Sequence, residues 1–306
     1  MRMRSVFWSS IAGIALLATV AVRRPVSEPT AHYVGSQACA ECHDKQYREY
    51  ATAGHGRAEG DSTRVEGARG CESCHGPGSL HVDAGGDKAD PGFASITDLR
   101  KVPAQQVVNL CITCHTGGDQ FLWADSKHAD RGVSCITCHS IHDAKDPGHA
   151  SLLKQENVSQ LCLTCHKSKK LSLARSAHMP IEEGSMNCSS CHNPHGSSAP
   201  NQLRYSSNNE LCESCHTDKR GPMLWEHTPV RENCVTCHEP HGSNNDKVLV
   251  GKRPFLCQRC HAGTRHPSTL YDNPDLASNR LFNRSCTNCH AQIHGSNHPS
   301  GKFFLR

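Results

Sequence analysis

The chain has 306 residues, with 33 Lys and Arg against 29 Asp and Glu for a formal charge of +4; only 36% is hydrophobic, 20 cysteines included, and 5% is aromatic. So little apolar material does not offset the entropy of ordering a domain of this size, which excludes an ordinary globule built on a hydrophobic core. With no basic block and no interleaved aromatics, nothing points to a nucleic-acid partner.

In chain order, the N-terminus carries Arg2 and Arg4 and then an apolar stretch over 11–22. This is a signal-peptide pattern, with Thr19-Val20-Ala21 as cleavage site. An uncleaved anchor is the alternative, since the low-charge run from Ser5 to Val22 is 18 residues, the lower limit for a span. Residues 1–22 are therefore assigned to the signal and 23–37 to a linker.

Every cysteine beyond that point falls in a Cys-x-x-Cys-His motif. The cysteines are Cys39/Cys42, Cys71/Cys74, Cys111/Cys114, Cys135/Cys138, Cys162/Cys165, Cys188/Cys191, Cys212/Cys215, Cys234/Cys237, Cys257/Cys260 and Cys286/Cys289. The histidines that follow are His43, His75, His115, His139, His166, His192, His216, His238, His261 and His290. Two thiols three positions apart share one face of a helical turn and can add to the two vinyl groups on one haem edge. The next residue then supplies the proximal nitrogen to the iron. Zinc ribbons also pair cysteines, but they do not demand a histidine after every pair. The expected cofactor is heme c, ten copies, covalently attached. Haems then replace the missing core, and the apo-chain should not fold. With twenty propionates and ten ferric cores included, the net charge becomes roughly −6.

The motifs alternate. Leu110, Leu161, Leu211 and Leu256 directly precede motifs three, five, seven and nine, whereas a polar residue precedes motifs four, six, eight and ten. A second histidine follows the even motifs, as in SIHD, NPHG, EPHG and AQIHG. The unit is thus a pair of motifs, starting at 39, 111, 162, 212 and 257, a repeat to be weighed before any other feature. The longer first unit holds a Gly-, Asp- and Pro-bearing loop over 76–110 with one short helix. Short helices are predicted over 107–115 and 159–166, and no segment alternates well enough for a strand. The fold class is a loop-rich multihaem cytochrome c with short α-helices and little or no sheet, an elongated solenoid-like repeat whose cofactors form the core. Lys167, Lys169 and Lys170 form the densest basic patch, a solvated loop or a partner for haem propionates.

Thirteen histidines remain after the ten proximal ones. The repeat selects ten as distal ligands: His55, His81, His128, His142, His178, His195, His227, His241, His266 and His294. His32, His149 and His298 are left over. His55, His128, His178 and His227 follow the preceding proximal histidine by 12, 13, 12 and 11 positions, and His266 by only 5. A histidine three residues after a proximal one cannot reach round the porphyrin. His142, His195 and His241 therefore serve a different haem from the motif just before them, so losing one should loosen two haems. Met179, Met186 and Met223 are alternative axial ligands outside the signal. Bis-histidine iron has no open position for substrate, so electron transfer is expected and a catalytic residue is not.

The ten motifs, the CESCHGPGSLH segment at 71–81 and the CHNPHG and CHEPHG segments at 191–196 and 237–242 resemble the decahaem MtrA/PioA/DmsE family of cytochromes over roughly 31–298. The resemblance implies a periplasmic electron conduit associated with the outer membrane. Its implied partners are an outer-membrane β-barrel porin and an outer-surface multihaem cytochrome, with a periplasmic or inner-membrane cytochrome on the other side. It also implies two pentahaem modules, 38–183 and 184–306. A freely diffusing periplasmic shuttle to a terminal reductase is the alternative. A multihaem enzyme is the third, but no CxxCK motif signals one.

Overall fold

The computed structural model describes residues 30–59, 70–146, 148, 151–261 and 285–305. The signal segment, His149 and His266 lie outside the described residues. Within them the chain forms short α-helices, single 3₁₀ turns and loops; the only β-pairing is as isolated bridges. No helix among the described residues is long and apolar enough to cross a membrane.

The alternation of the motifs has a local cause. In odd motifs the first cysteine lies near the end of a helix, as in Ser36–Ala40, Ala104–Ile112, Val158–Leu163 and Asn208–Glu213. In even motifs the first cysteine opens the turn, as in Cys135–Cys138, Cys188–Ser190 and Cys234–Thr236. The polar residue before an even motif is the cap. Asn187 accepts from Ser189 N at 2.9 Å and Asn233 from Val235 N at 3.1 Å. Such a side chain satisfies a donor that the first turn leaves free. Odd helices carry their caps further back, as where Asn157 accepts from Gln160 N at 2.9 Å and Ser207 from Glu210 N at 3.1 Å. The helices expected over 107–115 and 159–166 are Ala104–Ile112 and Val158–Leu163. The 76–110 stretch is more ordered than expected, holding Ser79–Asp83, the 3₁₀ turn Pro91–Ser95 and the start of Ala104–Ile112.

The apolar core is thin. Among the described residues the buried hydrophobic side chains are Ala53, Val107, Val108, Trp123, Leu152, Leu153, Leu173, Leu203 and Leu249. Three of these repeat. Leu153, Leu203 and Leu249 form bridges with His139, His192 and His238, so each even motif folds back onto a leucine that closes the loop after it.

Glycine is required where these loops dock on the preceding unit. Gly196 has φ +115° and Gly242 φ +126°, and a Cβ there would run into Leu122 O and Ser172 O respectively. The glycine of each His-Gly pair therefore sets how closely the loop carrying His195 or His241 can approach.

Candidate haem-binding sites

All ten motifs make the same internal bond. The backbone N–H of the motif histidine donates to the carbonyl of its first cysteine, at 2.9–3.1 Å throughout, from His43 to Cys39 through His290 to Cys286. This helical turn holds the two thiols on one face and the imidazole beside them, the arrangement a doubly attached haem needs.

The sequence treats the two thiols of a motif alike, as parts of one cofactor core, and here the structure corrects it. Every first cysteine is half-buried, but the second cysteines Cys42, Cys114, Cys165, Cys215, Cys260 and Cys289 are exposed. Five of the six belong to odd motifs, and the cause is local. Cys42, Cys114, Cys165 and Cys215 stand just past the ends of their helices, at Ala40, Ile112, Leu163 and Glu213, where no further turn covers them. In even motifs the returning chain does cover the second cysteine. The carbonyls of Cys138, Cys191 and Cys237 accept from Lys154 N at 3.0 Å, Arg204 N at 2.9 Å and Val250 N at 2.9 Å, and these three cysteines are half-buried. Motif ten departs from its even relatives: its returning chain bonds further along, from Gln292 N to Phe304 O at 2.9 Å, and Cys289 stays exposed. Protein side chains therefore do not enclose the attachment points at Cys42, Cys114 and Cys289. Their place in the motif turn, beside a half-buried first cysteine, still presents them to one haem edge.

The thiols themselves run in chain order. Cys39 lies beside Cys71, Cys111 beside Cys135, Cys162 beside Cys188, Cys212 beside Cys234, and Cys257 beside Cys286. These contacts join the two motifs of one unit through their first cysteines. Between units the second cysteines approach instead: Cys138 with Cys165, Cys191 with Cys215, and Cys237 with Cys260. Burial, with the adjacent thiol adding, pushes Cys39, Cys212 and Cys257 up to about 11. The bond from Cys111 holds Cys135 down at about 7, and that from Cys162 holds Cys188 down at about 6. Side-chain bonds brace the same junctions. Ser36 Oγ accepts from Cys71 N at 3.0 Å, and Asn209 Oδ1 from Cys234 N at 2.8 Å.

The histidines meet across these rows. Eight proximal imidazoles face a second imidazole: His43 and His81, His75 and His142, His115 and His55, His139 and His195, His166 and His128, His192 and His241, His238 and His294, His261 and His227. Their ring centres are 5.8–6.3 Å apart. Two imidazoles on opposite faces of one iron, each bound at about 2.0 Å with about 1.1 Å more from nitrogen to ring centre, stand about 6.2 Å apart. The residues therefore fit the group. His142, His195 and His241 each face a histidine outside the motif just before them.

His178 stands apart. Its Nδ1 donates to Met179 O at 3.0 Å, its Nε2 lies 3.7 Å from Glu183 Oε1, and it is not stacked on His216. The two spare histidines that are described have other work. His32 N donates to Ser79 Oγ at 2.9 Å, and His298 Nδ1 lies 2.9 Å from Ser300 Oγ.

Each site has an orienting bond that the sequence pattern did not reveal. The even proximal histidines donate from Nδ1 to a downstream carbonyl: His75 to Thr97 O at 2.8 Å, His139 to Ser151 O at 2.6 Å, His192 to Asn201 O at 2.9 Å, His238 to Lys247 O at 3.0 Å and His290 to Phe303 O at 2.6 Å. A carbonyl only accepts, so Nδ1 carries the proton and Nε2 keeps its lone pair for the metal. Asn201 and Lys247 both sit at φ +56°, and Leu152 and Phe304 beside the other acceptors at +52° and +56°. Such left-handed non-glycine residues persist only where the surroundings over-determine them; here they turn carbonyls toward ligands. In odd sites the bond lies on the other imidazole: His81 donates to Phe93 O at 2.7 Å, His128 to Pro194 O at 2.8 Å and His227 to Ile293 O at 3.0 Å. Burial lowers the pKa of His55, His142, His195, His227, His241 and His294, which favours the neutral ligand form.

Comparison with known proteins agrees with this construction. A family model for the doubled CXXCH motif matches residues 128–171, 178–221 and 227–266. Each match starts at or beside an inter-motif histidine and takes in an even motif and the odd motif after it, so His128 and its facing His166 lie within one match. The multihaem cytochrome MtrA of Shewanella baltica (strain OS185) is 41% identical over 280 residues, covering 89% of this chain and 81% of that protein. The chain belongs to the MtrA family of multihaem cytochromes. It is an electron-transfer protein that binds heme c covalently, and its 20 cysteines fit ten haems.

In this MtrA-family chain the residue that sequence reasoning missed most plainly is Glu72, inside the second motif. It is 5% exposed. Its carboxylate accepts from Val34 N at 3.0 Å, Gly35 N at 2.8 Å and Gly78 N at 2.8 Å. It thereby ties the start of the described chain to the CHGPGS turn. Asp146 is similarly buried and accepts from Ser151 N at 2.9 Å and Leu153 N at 2.6 Å. The signal for both was an acidic residue within or just after a haem motif.

Proposed function

We propose that this protein is a ten-haem wire that carries electrons through the outer membrane, seated from the periplasmic side in a β-barrel porin. The observation that carries the wire is the alternation of cysteine contacts in strict chain order, first cysteines within a unit and second cysteines between units. A thioether marks one edge of a haem, so edges joined in this order give a single file from motif one to motif ten. Bound haem supplies reversible one-electron exchange at iron. The chain holds each iron with one motif histidine and one histidine of the repeat: His81 for His43, His142 for His75, His55 for His115, His195 for His139, His128 for His166, His241 for His192, His294 for His238 and His227 for His261. By the same repeat His178 serves His216, and His266 serves His290. The porin and the periplasmic setting rest on the family resemblance, as does an outer-surface multihaem cytochrome as electron partner.

The test is transport across a bilayer. The purified holoprotein would be reconstituted with its co-purifying barrel in liposomes that trap reduced methyl viologen, and soluble ferric citrate added outside. Rapid loss of the viologen colour only when barrel and holoprotein are both present is expected. A holoprotein that purifies with no barrel, and that exchanges electrons only when dissolved in the same compartment as its acceptor, would support the periplasmic shuttle instead.

A further inference from the structure

The distal histidines of the even motifs are not equivalent. Neither His142 Nδ1 nor His195 Nδ1 makes a hydrogen bond of normal geometry among the described residues, though both are buried. His241 Nδ1 lies 3.2 Å from Glu239 Oε1, and the same oxygen stands 3.4 Å from the His241 backbone nitrogen. With Nε2 directed to iron, Nδ1 carries the proton and donates it to the carboxylate. Lys169 Nζ is 3.5 Å from the same Nδ1. An ammonium has donors only and cannot accept that proton, so Lys169 is a neighbouring charge and Glu239 is the hydrogen-bond partner.

The position is particular to this repeat. The residue after the proximal histidine is Ser140 in motif four, Asn193 in motif six and Ala291 in motif ten, and only motif eight places a carboxylate there. That carboxylate reaches the distal ligand of the preceding even site. On the opposite face of that site His192 donates to Asn201 O at 2.9 Å. Both imidazoles at motif six are therefore hydrogen-bond donors, one of them to a negative charge. Withdrawal of the Nδ1 proton raises electron density at Nε2 and strengthens its donation to the metal, which favours ferric over ferrous iron.

We propose that Glu239 sets the reduction potential of the haem held by Cys188, Cys191 and His192, lowering it below that of the motif-two and motif-four haems and placing an energetic step at the sixth position of the row. This rests on the assignment of His241 to that haem. Glu239 is a positioning residue acting through His241 and does not touch the iron.

Equilibrium redox titration of the intact holoprotein tests it, followed by Soret absorbance and by electron paramagnetic resonance. The variants are Glu239→Gln, Glu239→Asp and His241→Ala, each checked for an unchanged ratio of haem to protein. In Glu239→Gln, about a tenth of the Soret change should move to higher potential while every haem stays low-spin. Glu239→Asp, which keeps the carboxylate, should return that fraction toward the wild-type position. A Glu239→Gln curve that superimposes on wild type, or that moves to lower potential, overturns the proposal even where His241→Ala converts one haem to high-spin and so upholds the ligand. If His241→Ala leaves the low-spin count unchanged, the ligand assignment itself fails and the proposal falls with it.

Discussion

Replacing Glu72 by alanine should release the start of the described chain from the second haem motif. The carboxylate is buried and accepts from three backbone amides, those of Val34, Gly35 and Gly78. A hydrogen bond to a charged group contributes about 1.5–3 kcal/mol. Three such bonds sharing one acceptor are not additive, so the low end of each is appropriate and the variant should cost about 4 kcal/mol. A glutamine keeps one acceptor oxygen but turns an NH2 group toward donors, and should cost about half as much. The cost falls on a local opening, so it does not require the whole cofactor-laden chain to unfold in two states. Amide hydrogen exchange read by mass spectrometry on the holoprotein is the assay, with peptides covering 30–37 and 76–80. Under fast reclosing the exchange rate follows the opening equilibrium, so about 4 kcal/mol appears as about three decades of acceleration in both peptides together. Acceleration below about tenfold, or in one peptide alone, would refute the idea that Glu72 joins the two segments.

Three further outcomes follow from the ligand geometry. The His55–His115 and His128–His166 planes are crossed at 63° and 67°, while the other six observed pairs lie within 17–27°. Crossed imidazoles leave the two iron orbitals that bond with them nearly equal in energy, so the oxidised protein should show highly anisotropic low-spin signals from these two sites beside rhombic ones from the six; a spectrum with rhombic signals alone would contradict the crossed pairs. His195→Ala should convert the motif-four haem to high-spin and also disturb the motif-five haem, because Pro194 O holds the Nδ1 of His128 at 2.8 Å; perturbation of one haem only, by resonance Raman, would remove the link. Acid should release distal ligands: burial lowers His55, His142, His195, His227, His241 and His294 from 6.5, so the released state binds more protons and the native ligation is supported above that value and lost as pH falls below it. High-spin absorbance should grow on acidification, and growth on raising the pH would reverse the sign.

Much of the site was legible because its chemistry is local. A motif of five residues carries both attachment points and the proximal ligand, and the same His-to-Cys backbone bond closes all ten turns. The unequal cover of the two thiols was not legible, because it depends on whether the chain returns over the motif, as it does at Cys191 and does not at Cys114. The distal set was legible as a list because it repeats, but not as pairs. Nothing within the sequence around His55 says that it meets His115, or that His142 turns back to His75. Those pairings depend on how one unit stacks on the next, which is a matter of glycines such as Gly196 and Gly242 and of the backbone they approach. The orienting carbonyls of Asn201 and Lys247 were hidden for another reason. Backbone acceptors leave no mark in residue identity, and the left-handed turns that aim them use Asn and Lys where glycine would have been the readable signal. The polar residues before the even motifs were visible as a pattern, while their capping role at Asn187 and Asn233 needed the turn itself.

The pairings explain how a chain with so few buried apolar side chains holds a row in register. At each junction between units the ligands cross in opposite directions. His55, His128 and His227 reach forward to His115, His166 and His261, while His142, His195, His241 and His294 reach back to His75, His139, His192 and His238. A unit therefore cannot slide or rotate against its neighbour without straining two metal sites at once. Only the first unit differs among the described sites, since His81 serves His43 within the same unit. That is what the end of a stacked repeat requires, because a terminal unit has no neighbour on its outer side and must close on itself. The loop that supplies His81 also receives the Glu72 bonds through Gly78, so the extra length of the first unit has a structural use: it caps the row where no preceding unit exists to lend a ligand.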